Sequence, residues 1–183
     1  MVFKPTSKDE LKEAVNLWTS NRSSAIEKYS EINTWDTSEI TDMSELFSGE
    51  SDFNDNISNW NVSNVTDMSE MFNDVWEFNQ PIGNWDTSKV EKMDYMFAGA
   101  DAFNQPIGDW DTSNVRDMRS MFAFTVNFNQ PIGNWNTSKV RNMGGMFNEA
   151  SSFNQPIGNW DTSKVENMGE MFRYVSSLSL IHI

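Results

Sequence analysis

The chain has no cysteine and a single histidine, His182, among its 183 residues. Composition therefore excludes disulfides, thiolate metal sites, thiol nucleophiles and paired-histidine chemistry. Positive charge is also scarce, with 13 Lys and Arg against 27 Asp and Glu, a net charge of −14. That surplus repels nucleic acid phosphates and anionic headgroups, so no nucleic acid partner is expected. No apolar run reaches the length of a bilayer span, and the start, Met1-Val2-Phe3-Lys4-Pro5, carries no apolar signal segment, so membrane insertion is not expected either. The lack of cysteine leaves the compartment open, because a core built by repetition needs no covalent staple.

What the chain has in abundance is repetition. Trp35, Trp60, Trp85, Trp110, Trp135 and Trp160 recur every 25 residues without insertion or deletion. The fullest copy runs from Phe153 to Val165 as Phe-Asn-Gln-Pro-Ile-Gly-Asn-Trp-Asp-Thr-Ser-Lys-Val and closes with Met168, Met171 and Phe172. Such a period makes each copy one coil of a stack that buries the same face every time. Within a coil, the Ile82-Gly83-Asn84-Trp85 segment reads as a brief strand entered from a proline turn, and Met93, Met96 and Phe97 have the i, i+3, i+4 spacing of a helical turn. Asp42, Asp67, Asp117, Asn142 and Asn167, each just before the first methionine, suit caps for that turn.

The predicted fold class is α/β: a leucine-rich-repeat-like solenoid of 25-residue coils, each a short parallel strand plus a short helical turn. Residues 1–30 read as an N-terminal helical cap, in which Leu11, Ala14, Val15 and Trp18 recur at helical spacing and Ala25, Ile26 and Tyr29 form a second apolar side. Residues 31–177 are the six-repeat array, and 178–183 a tail that breaks the repeat. The tail, Leu178-Ser179-Leu180-Ile181-His182-Ile183, resembles a translated sequencing-library adapter and reads as non-native; the alternative is a short strand sealing the last coil. On the first reading the last coil is uncapped, exposes Met168, Met171 and Phe172, and invites end-to-end self-association.

The Phe-Asn-Gln-Pro-Ile-Gly-Asn-Trp-Asp-Thr-Ser-Lys-Val unit followed by Met and Met-Phe resembles the BspA-like leucine-rich-repeat surface proteins, in the tryptophan- and methionine-rich form of mycoplasma lipoproteins, over residues 31–177. The resemblance implies a surface-exposed, adhesive role, hence an extracellular or cell-surface location, and binding in place of catalysis.

Catalysis needs a base, nucleophile or metal held in one unique place, whereas this chain offers the same few groups in every coil. No catalytic, cofactor-binding or metal-ligating residue is assigned. Three regular files invite weighing. Asp36, Asn61, Asp86, Asp111, Asn136 and Asp161 read as turn formers, with calcium binding as the alternative. Thr37, Thr87, Thr112, Thr137 and Thr162, with Val62 in register, read as a β-branched file or, alternatively, as an ice-contacting array. Asn54, Asn79, Asn104, Asn129 and Asn154 read as an amide ladder between coils. Positions free of packing duty differ between copies, and these supply the candidate partner-binding residues: Trp76, Tyr95, Phe124, Asp74, Glu149 and Tyr174. The expected function is a non-enzymatic module that recognises a protein or cell-surface ligand. Its rival is a structural array contacting ice, glycan or calcium through the Thr and Asp files.

Overall fold

A computed structural model describes residues 2–179; Leu180, Ile181, His182 and Ile183 of the tail lie outside the described residues. Two helices open the chain, α1 (Lys8–Ser20) and α2 (Arg22–Tyr29), followed by one short 3-10 turn, Ile32–Thr34. Ser7 caps α1 by accepting from the Glu10 N–H, Asp9 and Glu10 lie in its first turn, and Leu11, Ala14, Val15 and Trp18 are its buried stripe. Asn21 caps α2, which buries Ala25 and Tyr29 and leaves Ile26 exposed.

From Trp35 onward the expected α/β architecture is not what forms. Among the described residues there is no strand, and no helix beyond α1, α2 and that one short turn; the coils consist of tight turns joined by isolated parallel bridges, one per neighbouring pair, along Asp42, Asp67, Lys92, Asp117, Asn142 and Asn167. The anticipated strand at Ile82-Gly83-Asn84-Trp85 fails because the Trp85 N–H closes a turn onto the Ile82 carbonyl at 3.2 Å and is unavailable to a neighbour. Gly83 sits so close to the next coil that a Cβ there would lie 2.2 Å from the Pro106 carbonyl oxygen. The anticipated helical turn at Met93–Phe97 fails for a related reason. A helix sends every N–H back within its own segment. Here alternate N–H groups leave the coil: Met93, Tyr95, Phe97 and Gly99 donate to the carbonyls of Asp117, Arg119, Met121 and Ala123 at 2.8–3.0 Å. Met96, Ala98 and Ala100 close three-residue turns onto Met93, Tyr95 and Phe97. The apolar spacing that suggests a helix is thus a row of turns, and Asp42 or Asp67 accepts from the N–H two residues on, as an Asx-turn, instead of capping a helix.

The coils nevertheless pile in register around one continuous core. Phe47, Phe72, Phe97, Phe122, Phe147 and Phe172 stack with near-parallel rings 5.5–5.8 Å apart. Beside them Phe53, Phe78, Phe103, Phe128 and Phe153 stack at 6.0–6.1 Å. All six repeat indoles are buried, and Trp60, Trp110, Trp135 and Trp160 donate Nε1–H to an isoleucine carbonyl of the preceding coil at 2.8–3.1 Å. Trp35 donates instead to the Ser30 carbonyl at 3.3 Å, and the Trp85 Nε1 is buried without a partner among the described residues. The asparagine ladder is built as well: Asn79, Asn104, Asn129 and Asn154 each donate their backbone N–H to the amide oxygen one coil back at 2.9–3.0 Å. Leu178 takes the next phenylalanine's place and Ser179 continues the ladder onto Asn154.

The helices cover the first coil. Lys12 reaches the Glu45 and Leu46 carbonyls; the carbonyls of Met71, Met96 and Met121, the counterparts of Leu46, accept instead from Phe47, Phe72 and Phe97 of the preceding coil, and Phe3, Tyr29, Trp18 and Trp35 form an aromatic cluster over the column end. Asp55 ties helix to column by accepting from Trp18 Nε1 at 2.8 Å and pairing with Arg22. Asp55→Ala strands the Trp18 N–H and removes the ion pair, so it is expected to lower stability by about 1–3 kcal/mol in urea denaturation. An unchanged midpoint would show that the cap is held by packing alone.

Candidate functional site

Two positions in every coil are left-handed. Glu45, Glu70, Tyr95, Ser120, Gly145 and Glu170 have φ of 51–65°, and Gly49, Asp74, Gly99, Phe124, Glu149 and Tyr174 have φ of 56–78°. The alternation of inward and outward N–H bonds requires this backbone, and a side chain there costs roughly 1–2 kcal/mol that glycine avoids. Three of the twelve positions are glycine; the other nine carry side chains in spite of the strain.

Between these two files lies a groove of about 460 Å³ centred on Gly99, walled by Glu70, Asp74, Tyr95, Ser120 and Phe124 and floored by Ala98, Ala123 and Asn148. It exists because Gly99 contributes no side chain, and the Asp74 carboxylate leans into the space, 2.4 Å from where a Cβ on Gly99 would sit. Phe124 is 48% exposed. The Arg119 guanidinium lies over the Tyr95 ring, 5.3 Å from its centroid. The Asn148 Oδ1 is buried with no hydrogen-bond partner among the described residues. Burial raises the Glu70 carboxyl above its usual range, and the neighbouring charges of Glu45 and Asp94 push it further.

Of the six residues picked from the sequence, the structure brings Asp74, Tyr95 and Phe124 together in this groove. Trp76, 58% exposed, lies outside its lining, as do Glu149 and the 66% exposed Tyr174, which continue the Phe124 file. Gly99 and Asn148, which also line the groove, were not among the six. The available signal for the first was a glycine at a position where other copies carry Asp74, Phe124, Glu149 and Tyr174.

The regular files have other duties. Thr37, Thr87, Thr112 and Thr137 are buried, and each hydroxyl donates to a carbonyl of the next coil at 2.9–3.1 Å, so these four present no surface array. Asp36, Asp86, Asp111 and Asp161 accept from the serine N–H two residues on. The serine hydroxyl first, and then that N–H, hold Asp36, Asp86 and Asp161 below the usual carboxylate range. Among the described residues no three His, Asp or Glu converge into a group able to hold a metal ion, and no helix is long and apolar enough to cross a membrane. On the last coil Ile157, Trp160, Met168, Met171 and Phe172 line an apolar hollow of about 250 Å³.

Asp67 supplies a pH test of the column edge. Burial would raise its carboxyl, but the Lys92 ammonium at 2.7 Å and the Ser69 hydroxyl and N–H hold it below the usual range. A carboxyl depressed by folding contributes stability above its unfolded pKa, and this contribution is lost as pH falls through the folded value. Asp67→Asn keeps an Asx-turn former, as Asn142 and Asn167 do in their coils, and removes only the charge. The variant is expected to lose less than about 1 kcal/mol at pH 7, since Lys92 is well exposed, and to show a shallower loss of stability on acidification than the parent. Parallel acid profiles would sink this assignment.

No curated protein and no solved structure matches the chain. A family described as Mycoplasma protein of unknown function, DUF285, matches residues 14–125 and again residues 105–180, from within α1 through the last described coil. The chain belongs to this family, DUF285, whose matches cover both the helical start and the turn-built column.

Proposed function

We propose that the chain is a non-catalytic recognition module that binds another protein at a cell or particle surface, through the groove at Gly99 and the exposed side chains around it. The resemblance of its repeat unit to BspA-like surface proteins supports the setting. The observation that carries the reading is where the aromatic side chains stand. Tyr95, Phe124 and Tyr174 occupy left-handed positions that Gly49, Gly99 and Gly145 fill elsewhere without strain. A bulky ring kept at a strained position motivates a functional reading, and a half-exposed aromatic such as Phe124 beside a groove is the kind of anchor protein interfaces use.

Selection of displayed random peptides on the full chain tests this. Enriched peptides should lose binding to a Tyr95→Gly/Phe124→Gly double variant that still melts cooperatively. Peptides that bind parent and double variant alike would overturn the groove as the contact surface.

A further inference from the structure

We infer that the groove at Gly99 takes a lysine or arginine side chain presented by a peptide segment of the partner protein. This rests on the recognition reading and adds the chemistry of what is recognised.

The groove's carboxylates lack the pairing found elsewhere on the same column. At the edge of the coils Asp67 pairs with Lys92, Glu91 with Arg116 and Glu166 with Arg141. Among the described residues, no Lys or Arg forms an ion pair with Glu70 or Asp74 in the groove, or with Asp94 or Asp101 beside it. Repulsion on each side of the groove is unrelieved: burial and Asp74 raise Asp101, as burial, Glu45 and Asp94 raise Glu70. A cation entering beside Glu70 and Asp74 relieves repulsion already present in the folded chain.

The rest of the groove is suited to the same guest. The Tyr95 face already holds one guanidinium, that of Arg119, and Phe124 offers a second, half-exposed ring across the groove. The volume of about 460 Å³ has room for a long side chain together with part of the peptide that carries it, and the net charge of −14 steers a basic segment toward the chain while repelling phosphate-bearing alternatives.

The test uses the full chain and two fluorescein-labelled peptides of equal length, one alternating arginine and glycine, the other glutamate and glycine, read by fluorescence polarisation at physiological salt. The basic peptide is expected to bind and the acidic one not. Glu70→Gln with Asp74→Asn should weaken the basic peptide at least about tenfold. Glu27→Gln with Asp109→Asn, the same charge change at exposed sites outside the groove, should weaken it less than about twofold. Equal losses in the two variants would show diffuse charge attraction and overturn the inference. Displacement by free arginine at the concentration where unlabelled peptide displaces would overturn the peptide assignment. Selected library peptides that depend on Phe124 yet carry no basic residue would remove the cation and leave the recognition reading standing. Absence of any Phe124-dependent peptide would remove the recognition reading itself.

Discussion

Phe97→Ala is expected to lower the stability of the chain by about 3–5 kcal/mol, the range for emptying a fully buried aromatic site. Phe97 is completely buried and its ring meets four others: Phe72 at 5.5 Å, Phe103 at 3.9 Å, Trp110 at 6.2 Å and Phe122 at 5.8 Å. Two of these contacts lie on opposite sides of it along the stack, so truncation weakens the interface above and the interface below together. In a column where each coil touches only its neighbours, stability is close to a sum of unit and interface contributions.

The comparison that makes this decisive is Phe172→Ala. Phe172 occupies the same place in its coil, but among the described residues its ring has one stacked neighbour, Phe147 at 5.8 Å, and it is only partly buried. Its truncation is therefore expected to have roughly half the effect or less. Urea denaturation followed by tryptophan fluorescence reads both. For Phe97→Ala, the transition should also broaden or split, because coils before and after the lesion lose their coupling. Equal effects at the two positions, with single sharp transitions, would mean that the column unfolds as one globular core and that interface counting does not apply to it.

The burial of the Trp, Met and Phe files was legible in the sequence because a side chain repeated in every coil has to meet its own copy, whatever path the backbone takes. The backbone path was not legible. Met93, Met96 and Phe97 have helical spacing, and a three-residue turn repeated with an outward N–H between its closures reproduces that spacing without a helix. The left-handed residues separate the two cases, and only Gly49, Gly99 and Gly145 hint at them, since the remaining positions hold side chains in spite of the strain. The strand at Ile82–Trp85 misled for a similar reason: its apolar, proline-led composition describes a turn packed against Pro106 as well as a strand. The groove was half legible. Variation between copies pointed to Asp74, Tyr95 and Phe124, but the empty Gly99 that makes room between them is a missing side chain, and the Asn148 beneath it looks like any loop polar residue.

Phe124→Gly separates binding from folding at that groove. Three contributions set its effect on stability. Glycine relieves the left-handed strain at φ 60°, about 1–2 kcal/mol in favour of the variant. It also gains freedom in the unfolded chain, about 0.5–1 kcal/mol against it. The ring is 48% exposed, so losing its buried half removes about another 1 kcal/mol. The sum lies within about 1 kcal/mol of zero, far from the loss at Phe97, although both changes delete a benzyl group. Binding of groove-dependent peptides should meanwhile fall at least about tenfold, as for truncation of an aromatic anchor. Phe124→Ala provides the internal check: it removes the ring but keeps the strain, so it should bind as poorly as Phe124→Gly and be the less stable of the two. A loss of about 3 kcal/mol on Phe124→Gly would instead make Phe124 a packing residue, and its place at a left-handed position would then owe nothing to a partner.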